Sequence, residues 1–396
     1  MPDIQPLAPG TRLVHIGPYK TGTTAVQHAF HTRREQVADE GVHYAGRGIQ
    51  PYRQVIALTG AKGRRGHVPA DISVWEELVA EIDDAGDQRV VLSCESLANA
   101  HRPAIERLYA DLGPERVHVV RMLRRYDKML PSKWQQSVMG GLKTSFDPWL
   151  KNVIADPGHD FWFQHGNTEL TDRWAEVVGP ENITLVVVDE TDRDFLSRTF
   201  EQLLDLSPGL LKPVAGGENR SLARGEVEML RRFNQIVTPP KWRGEVHERY
   251  IRFGASRSMK TQPRNPDDPS VATPEWAYAP LAERAEREIA ALRAAGFRVI
   301  GDLDLLHVPT RAERPANPTE LEPGTVLADV VALAASGVVK AALAKPSIPL
   351  FADPDGSGQA LGDGAGRRGA PSYSRREIAR VLGRRAVRKL KGVRRG

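Results

Sequence analysis

TRLVHIGPYKTGTTAVQHAF, residues 11–30, changes its hydrophobic period halfway. Its first seven residues form a short apolar run bounded by Pro9-Gly10 and Gly17-Pro18, which reads as a strand. Beyond Gly22, the residues Ala25, Val26, Ala29 and Phe30, continued by Val37, recur at the spacing of one buried helix face. Strand, glycine loop and helix in that order present backbone N–H groups at a helix start, where the helix dipole adds partial positive charge. The stretch therefore predicts an anion-binding turn at the head of an α/β domain.

Three further runs carry the pattern outward: RVVLSC (89–94), RVHVVRML (116–123) and NITLVVVD (182–189). Each is apolar at nearly every position and follows a helical stretch, as strands buried on both faces of a parallel sheet do. Helical patterns recur at 191–205, 222–236 and 275–295. The predicted fold class is α/β, a P-loop-type three-layer sandwich with a central parallel sheet flanked by helices, plus a helical and flexible C-terminal extension. The expected organisation is one α/β domain over 1–310 and a Pro/Gly-rich linker region over 311–373 with a helix near 325–345. A basic amphipathic tail over 374–396 follows.

At 396 residues, 40% hydrophobic and 27% charged, the chain has the composition of a soluble globular protein. The opening MPDIQPLAPGT lacks a signal-peptide pattern, and the most apolar stretch, VLADVVALAASGVVKAALA, carries Asp329 and Lys340 and reads as an ordinary helix. A single cysteine, Cys94, excludes an internal disulfide framework and a cysteine-based zinc cluster. A cytoplasmic location is expected. The net charge of +5 is unevenly spread. From Arg375 onward lie 10 of the 55 basic residues and one of the 50 acidic ones, leaving 45 basic against 49 acidic residues before it. In that tail Ile378, Leu382, Ala386, Leu390 and Val393 fall near one helical face, the pattern of a helix on an anionic membrane surface. The tail is either a peripheral contact with the inner membrane surface or a solvated, disordered segment; no nucleic acid is expected.

The loop itself departs from the usual nucleotide loop, G-x-x-x-x-G-K-[ST], in which the lysine reaches the outer phosphates and the hydroxyl holds Mg²⁺. Gly17 and Gly22 keep the spacing, but Thr23 and Thr24 fill the last two positions and the lysine stands at Lys20. Three residues earlier, the ammonium faces the group beyond a 5′-phosphate and the bond joining the two. A phosphosulfate fits there, because its outer sulfuryl group carries less charge than a terminal phosphoryl group and needs less metal compensation. No metal is expected.

The stretch P-Y-K-T-G-T-T resembles the 5′-phosphosulfate loop of the sulfotransferase superfamily, bacterial type, whose members use 3′-phosphoadenosine 5′-phosphosulfate (PAPS) as donor. The resemblance implies that Lys20 contacts the transferring sulfuryl group and the bridging oxygen. It further implies that Gly17, Tyr19, Thr21, Gly22, Thr23 and Thr24 cradle the 5′-phosphate. A second match lies in VVRMLRRYDKMLPSKWQQS, where Arg124 ends a buried strand and Ser132 follows eight residues later, the family's spacing for its two 3′-phosphate contacts. Arg125 stands where the family often has aspartate, so either arginine is open to that role. Pro131 suits the first turn of a helix, which places Ser132 near a helix start. By the same resemblance, Asn219, Arg220 and Ser221 are candidates to close the nucleotide site.

Attack by an acceptor hydroxyl on sulfur needs a base, which contributes typically about 10²–10⁴-fold. Glu95, at the end of VVLSCES, is the first choice, because ligands collect at the carboxyl ends of open parallel sheets. His15, on the first strand, reads more readily as a hydrogen-bonded core residue; His43 and Glu40 also stay open. The aromatic stretch FDPWLKNVIADPGHDFWFQHG (146–166) is either an acceptor lid or core packing. The resulting function is sulfuryl transfer to a hydroxyl of a carbohydrate, glycolipid or other small molecule. The rivals are a P-loop phosphotransferase or NTPase, with Asp189-Glu190 as a Walker B-like strand end, and a non-catalytic membrane-associated nucleotide-binding protein.

Overall fold

In a computed structural model, the described residues are 4–18, 23–60, 70–212, 220–237, 247–263, 268–309 and 328–343. The tail, most of the expected linker region, and site residues Tyr19, Lys20, Thr21, Gly22 and Asn219 lie outside them.

The chain begins with strand β1 (Arg12–His15), then helices α1 (Thr23–Thr32) and α2 (Arg34–Asp39) and strand β2 (Val42–Tyr44). Helices α3 (Tyr52–Thr59) and α4 (Ser73–Asp84) lead to β3 (Arg89–Ser93), and α5 (Arg102–Asp111) to β4 (Val117–Leu123). Four helices follow, α6 (Tyr126–Met139), α7 (Phe146–Ala155), α8 (Asp160–His165) and α9 (Asn167–Val178), then β5 (Ile183–Val187) and α10 (Phe195–Leu204). Helix α11 (Arg224–Val237), a π-helical segment Glu248–Ala255, the long helix Glu275–Ala294 and strand β6 (Arg298–Ile300) complete the sheet.

All six strands are parallel, in the order β2-β3-β1-β4-β5-β6. His15 lies level with Ser93 on one side and Val120 on the other, which brings the carboxyl ends of β1, β3 and β4 together. The protein is an α/β three-layer sandwich. Alternate strand residues bury opposite ways: Val14, Val90, Leu92 and Val119 join the cluster under α4, α5 and α9, whereas Leu13, Val91, Val120 and Met122 join that under α1 and α10. Double burial explains why these strands are apolar at nearly every position rather than at every second one.

A third cluster forms a helical layer beside the sheet, from α6, α7, α8, α11 and the start of the long helix. A helix expected near 325–345 lies at Ala328–Leu343 and packs into this layer through Ala334. It crosses the π-helical segment backbone to backbone: a Cβ built on Gly337 would stand 2.4 Å from the carbonyl oxygen of Gly254 and 2.6 Å from Cβ of Ser258. Among the described residues, no helix is long and apolar enough to cross a membrane.

Candidate active site

The loop's described flanks meet Glu95. Gly17 has φ of +81°, and a Cβ there would lie 3.3 Å from Cα, Cβ and Cγ of Glu95, so both conformation and space call for glycine. Its carbonyl accepts from the backbone N–H of Met122 (2.8 Å), tying the loop's start to β4. Thr23 opens α1 and is buried, whereas Thr24 is exposed. The Thr23 hydroxyl donates to Oε1 of Glu95.

Glu95 is 6% exposed and begins a 3₁₀ turn, Glu95–Asn99, directly beyond β3. Its backbone is fixed by the bond from Cys94 N–H to the His15 carbonyl (3.1 Å). Behind the carboxylate runs a chain of neutral polar side chains that the motifs did not reveal. Gln50 Nε2 stands 3.5 Å from Oε2 of Glu95 and donates to Gln27 Oε1 at 2.6 Å; Gln27 Nε2 donates to Ser93 Oγ at 3.0 Å. Gln27 is four residues after Thr23 on α1, and that spacing was a usable signal. Gln50 comes from the loop after β2, where no periodicity marks it.

His15 ends this chain, with Nδ1 at 2.8 Å from Ser93 Oγ and its ring edge-on to Phe200 at 5.2 Å. Complete burial pushes its pKa down to about 3. An imidazole that stays neutral so far below neutrality is poorly matched to general-base work and behaves as a core residue. His43 Nε2 is engaged by Glu81 at 2.9 Å, and Glu40 accepts from the backbone of Ser207 at 2.7 Å.

On the neighbouring strand end the two arginines differ. Arg125 closes both arms on the buried carboxylate of Asp127, at 2.9 and 2.7 Å, and that hydrogen bonding raises the guanidinium pKa. Arg124 meets the exposed Glu190 through Nε at 2.7 Å. Ser132 is not near a helix start, as the sequence implied. Helix α6 begins at Tyr126, so Pro131 lies inside it and Ser132 sits half-buried in its second turn. The helix survives its proline because the carbonyl left without an N–H partner, that of Asp127, accepts from the buried Thr273 hydroxyl at 2.8 Å. Arg220 sends its guanidinium N–H groups to Glu226, Ser221 and the carbonyls of Met259 and Gln262, so it anchors this corner; Ser221 is exposed.

The aromatic stretch is core rather than lid: Trp149, Phe161 and Trp162 are buried, and Phe163 lies under the Arg173 guanidinium at 3.7 Å. The Walker B-like acids have local partners, Asp189 in Thr191 and Glu190 in Arg124. Among the described residues, no group of three or more His, Cys, Asp or Glu side chains has metal-holding geometry.

No family model and no curated protein matches this chain. Among solved structures, it is similar to a sulfotransferase from Alicyclobacillus acidocaldarius, at 15% identity over 57% of this chain and 92% of that one, with a TM-score of 0.34. A likeness that distant adds nothing to the reading of the site.

Proposed function

We propose that the protein is a sulfotransferase moving the sulfuryl group of PAPS to a hydroxyl of a carbohydrate, glycolipid or other small acceptor. The observation that carries this reading is the meeting of a buried carboxylate, Glu95, with the first hydroxyl of a helix whose preceding loop holds Lys20 and no Walker lysine. The donor set fits a phosphate: Gly17 keeps the loop's entrance free of side chain, and α1 turns its positive end toward the same place.

In the reaction the acceptor oxygen forms a bond to sulfur while the bond from sulfur to the bridging oxygen breaks. The electron pair leaves with adenosine 3′,5′-bisphosphate, and the acceptor proton passes to Glu95. Lys20 is assigned from the sequence to the negative charge growing on the bridging oxygen. Arg124 is favoured over Arg125 for the 3′-phosphate, and Ser132 is kept as its companion on the sequence spacing alone. Arg124 can leave an exposed carboxylate, Glu190, to water and exchange it for a phosphate at little cost, whereas withdrawing Arg125 strands a buried Asp127.

The test is transfer from labelled PAPS to a panel of sugars, glycolipids and phenols. Labelled product is expected, with turnover falling about 10²–10⁴-fold in Glu95→Gln. Mg²⁺-dependent hydrolysis of ATP or GTP without sulfuryl transfer would sink the proposal. The basic tail makes a membrane-borne acceptor part of it, and liposome co-sedimentation with and without residues 374–396 checks that component.

A further inference from the structure

We infer that Glu95 competes with the incoming 5′-phosphate for the Thr23 hydroxyl, so that nucleotide binding displaces a carboxylate already seated at the head of α1. The inference rests on the sulfotransferase reading of the site and adds a coupling between its two halves. Thr23 is the first residue of a ten-residue helix, where the dipole favours a negative group, and the group now accepting its hydroxyl proton is Glu95 Oε1. A phosphate oxygen taking that hydroxyl meets the Glu95 carboxyl oxygens at close range, in a setting with little water between them.

A carboxylate that leaves Thr23 has a donor close by. Its backbone is held by the Cys94–His15 bond, and the Leu97 N–H closes the turn on the Cys94 carbonyl at 3.1 Å. Gly17 lies on the β1 side of it, where even a single added Cβ would stand 3.3 Å from its Cα, Cβ and Cγ. Rotation about the side-chain torsions takes the carboxylate toward Gln50 Nε2, already 3.5 Å from Oε2. Gln50 is itself positioned by Gln27, at 2.6 Å. Gln50 is thus a positioning residue that receives Glu95 once Thr23 changes partner, and the displaced oxygen then faces the acceptor hydroxyl.

Binding of adenosine 3′,5′-bisphosphate and of adenosine 3′-phosphate, measured by calorimetry on the full chain, tests this. Glu95→Gln keeps the shape and removes the charge, so it is expected to bind the bisphosphate at least tenfold tighter than the wild type, with adenosine 3′-phosphate unchanged. Equal or weaker binding of the bisphosphate, or equal tightening for both ligands, overturns the inference and leaves the sulfotransferase reading standing. Failure of the wild type to bind the bisphosphate at all overturns both. Gln50→Leu provides a second arm that does not depend on the folding of the first variant. It is expected to weaken bisphosphate binding at least threefold with adenosine 3′-phosphate unaffected, and unchanged bisphosphate binding counts against the inference.

Discussion

Replacing His15 by asparagine is expected to flatten the acid side of the stability curve. In the folded protein, burial holds the His15 pKa at about 3, while in the unfolded chain it returns to its ordinary value near 6.5. Below 6.5 the unfolded chain takes up a proton that the folded chain refuses. The unfolded state then binds more protons, and stability falls as the pH falls from 6.5 toward 3. Each pH unit well below 6.5 corresponds to about 1.4 kcal/mol, and because the unfolded group is already half protonated at 6.5, acidification from 6.5 to 4.5 removes about 2 kcal/mol, a sizeable part of a typical 5–15 kcal/mol total. Asparagine keeps a polar group opposite Ser93 Oγ but titrates nothing; losing the ring's edge on Phe200 costs roughly 1–2 kcal/mol at every pH. Urea midpoints at half-unit steps from pH 7 to 4.5 give the difference curve, and the contribution of His118, lowered to about 4 chiefly by burial, is common to both proteins and cancels. Relative to wild type, the variant should gain about 2 kcal/mol between pH 6.5 and 4.5, enough to offset its deficit at neutral pH. Parallel curves refute the reasoning. If Glu95 is the base, as proposed, the same variant keeps the wild-type pH profile of turnover; a changed acid limb would move the base role to His15.

Gly17→Ala adds a left-handed penalty of about 1–2 kcal/mol to a crowded contact with Glu95, so it should lower Tm and turnover together; melts and transfer rates within error of wild type would show that the loop relaxes freely. Arg124→Ala should leave stability within about 0.5 kcal/mol yet weaken bisphosphate binding about 10–100-fold. Arg125→Ala should cost about 1–3 kcal/mol in urea unfolding, because buried Asp127 loses its partner, and the reverse pattern of binding losses would exchange the two assignments. Gly337→Leu cannot fit beside Gly254 and Ser258, so limited proteolysis should cut the chain near helix Ala328–Leu343 much faster than in the wild type; equal rates would mean that the crossing does not hold the helix.

Four of the six strands were legible because burial on both faces writes a continuous apolar run. Strands β2 and β6 were not, since Val42–Tyr44 and Arg298–Ile300 are three-residue edge strands too short to show a period. The helices α10, α11 and Glu275–Ala294 fall within a few residues of their expected ranges, their apolar faces being long enough to read. Glu95 was placed by a topological rule alone, but its bond to Thr23 joins residues 72 apart and has no local signature. The position of Ser132 was misread for a related reason. Proline normally marks a first turn, and the hydroxyl that lets Pro131 sit deeper comes from Thr273, 146 residues from the carbonyl it satisfies.

That same bond sets a timetable for synthesis. Arg124 and Ser132 leave the ribosome long before Thr273 and Glu288, which supply the partners for the Asp127 carbonyl and the Tyr126 hydroxyl. Until then the first turns of α6 have only water to satisfy them, around a proline that interrupts the helix's own bonding. The first strands can assemble early, but the end of β4 and the start of α6 are braced only after residue 288 has emerged. A nascent or prematurely terminated chain therefore carries the start of α6 unbraced, and under the proposed function full affinity for a doubly phosphorylated nucleotide would report that translation has passed the long helix.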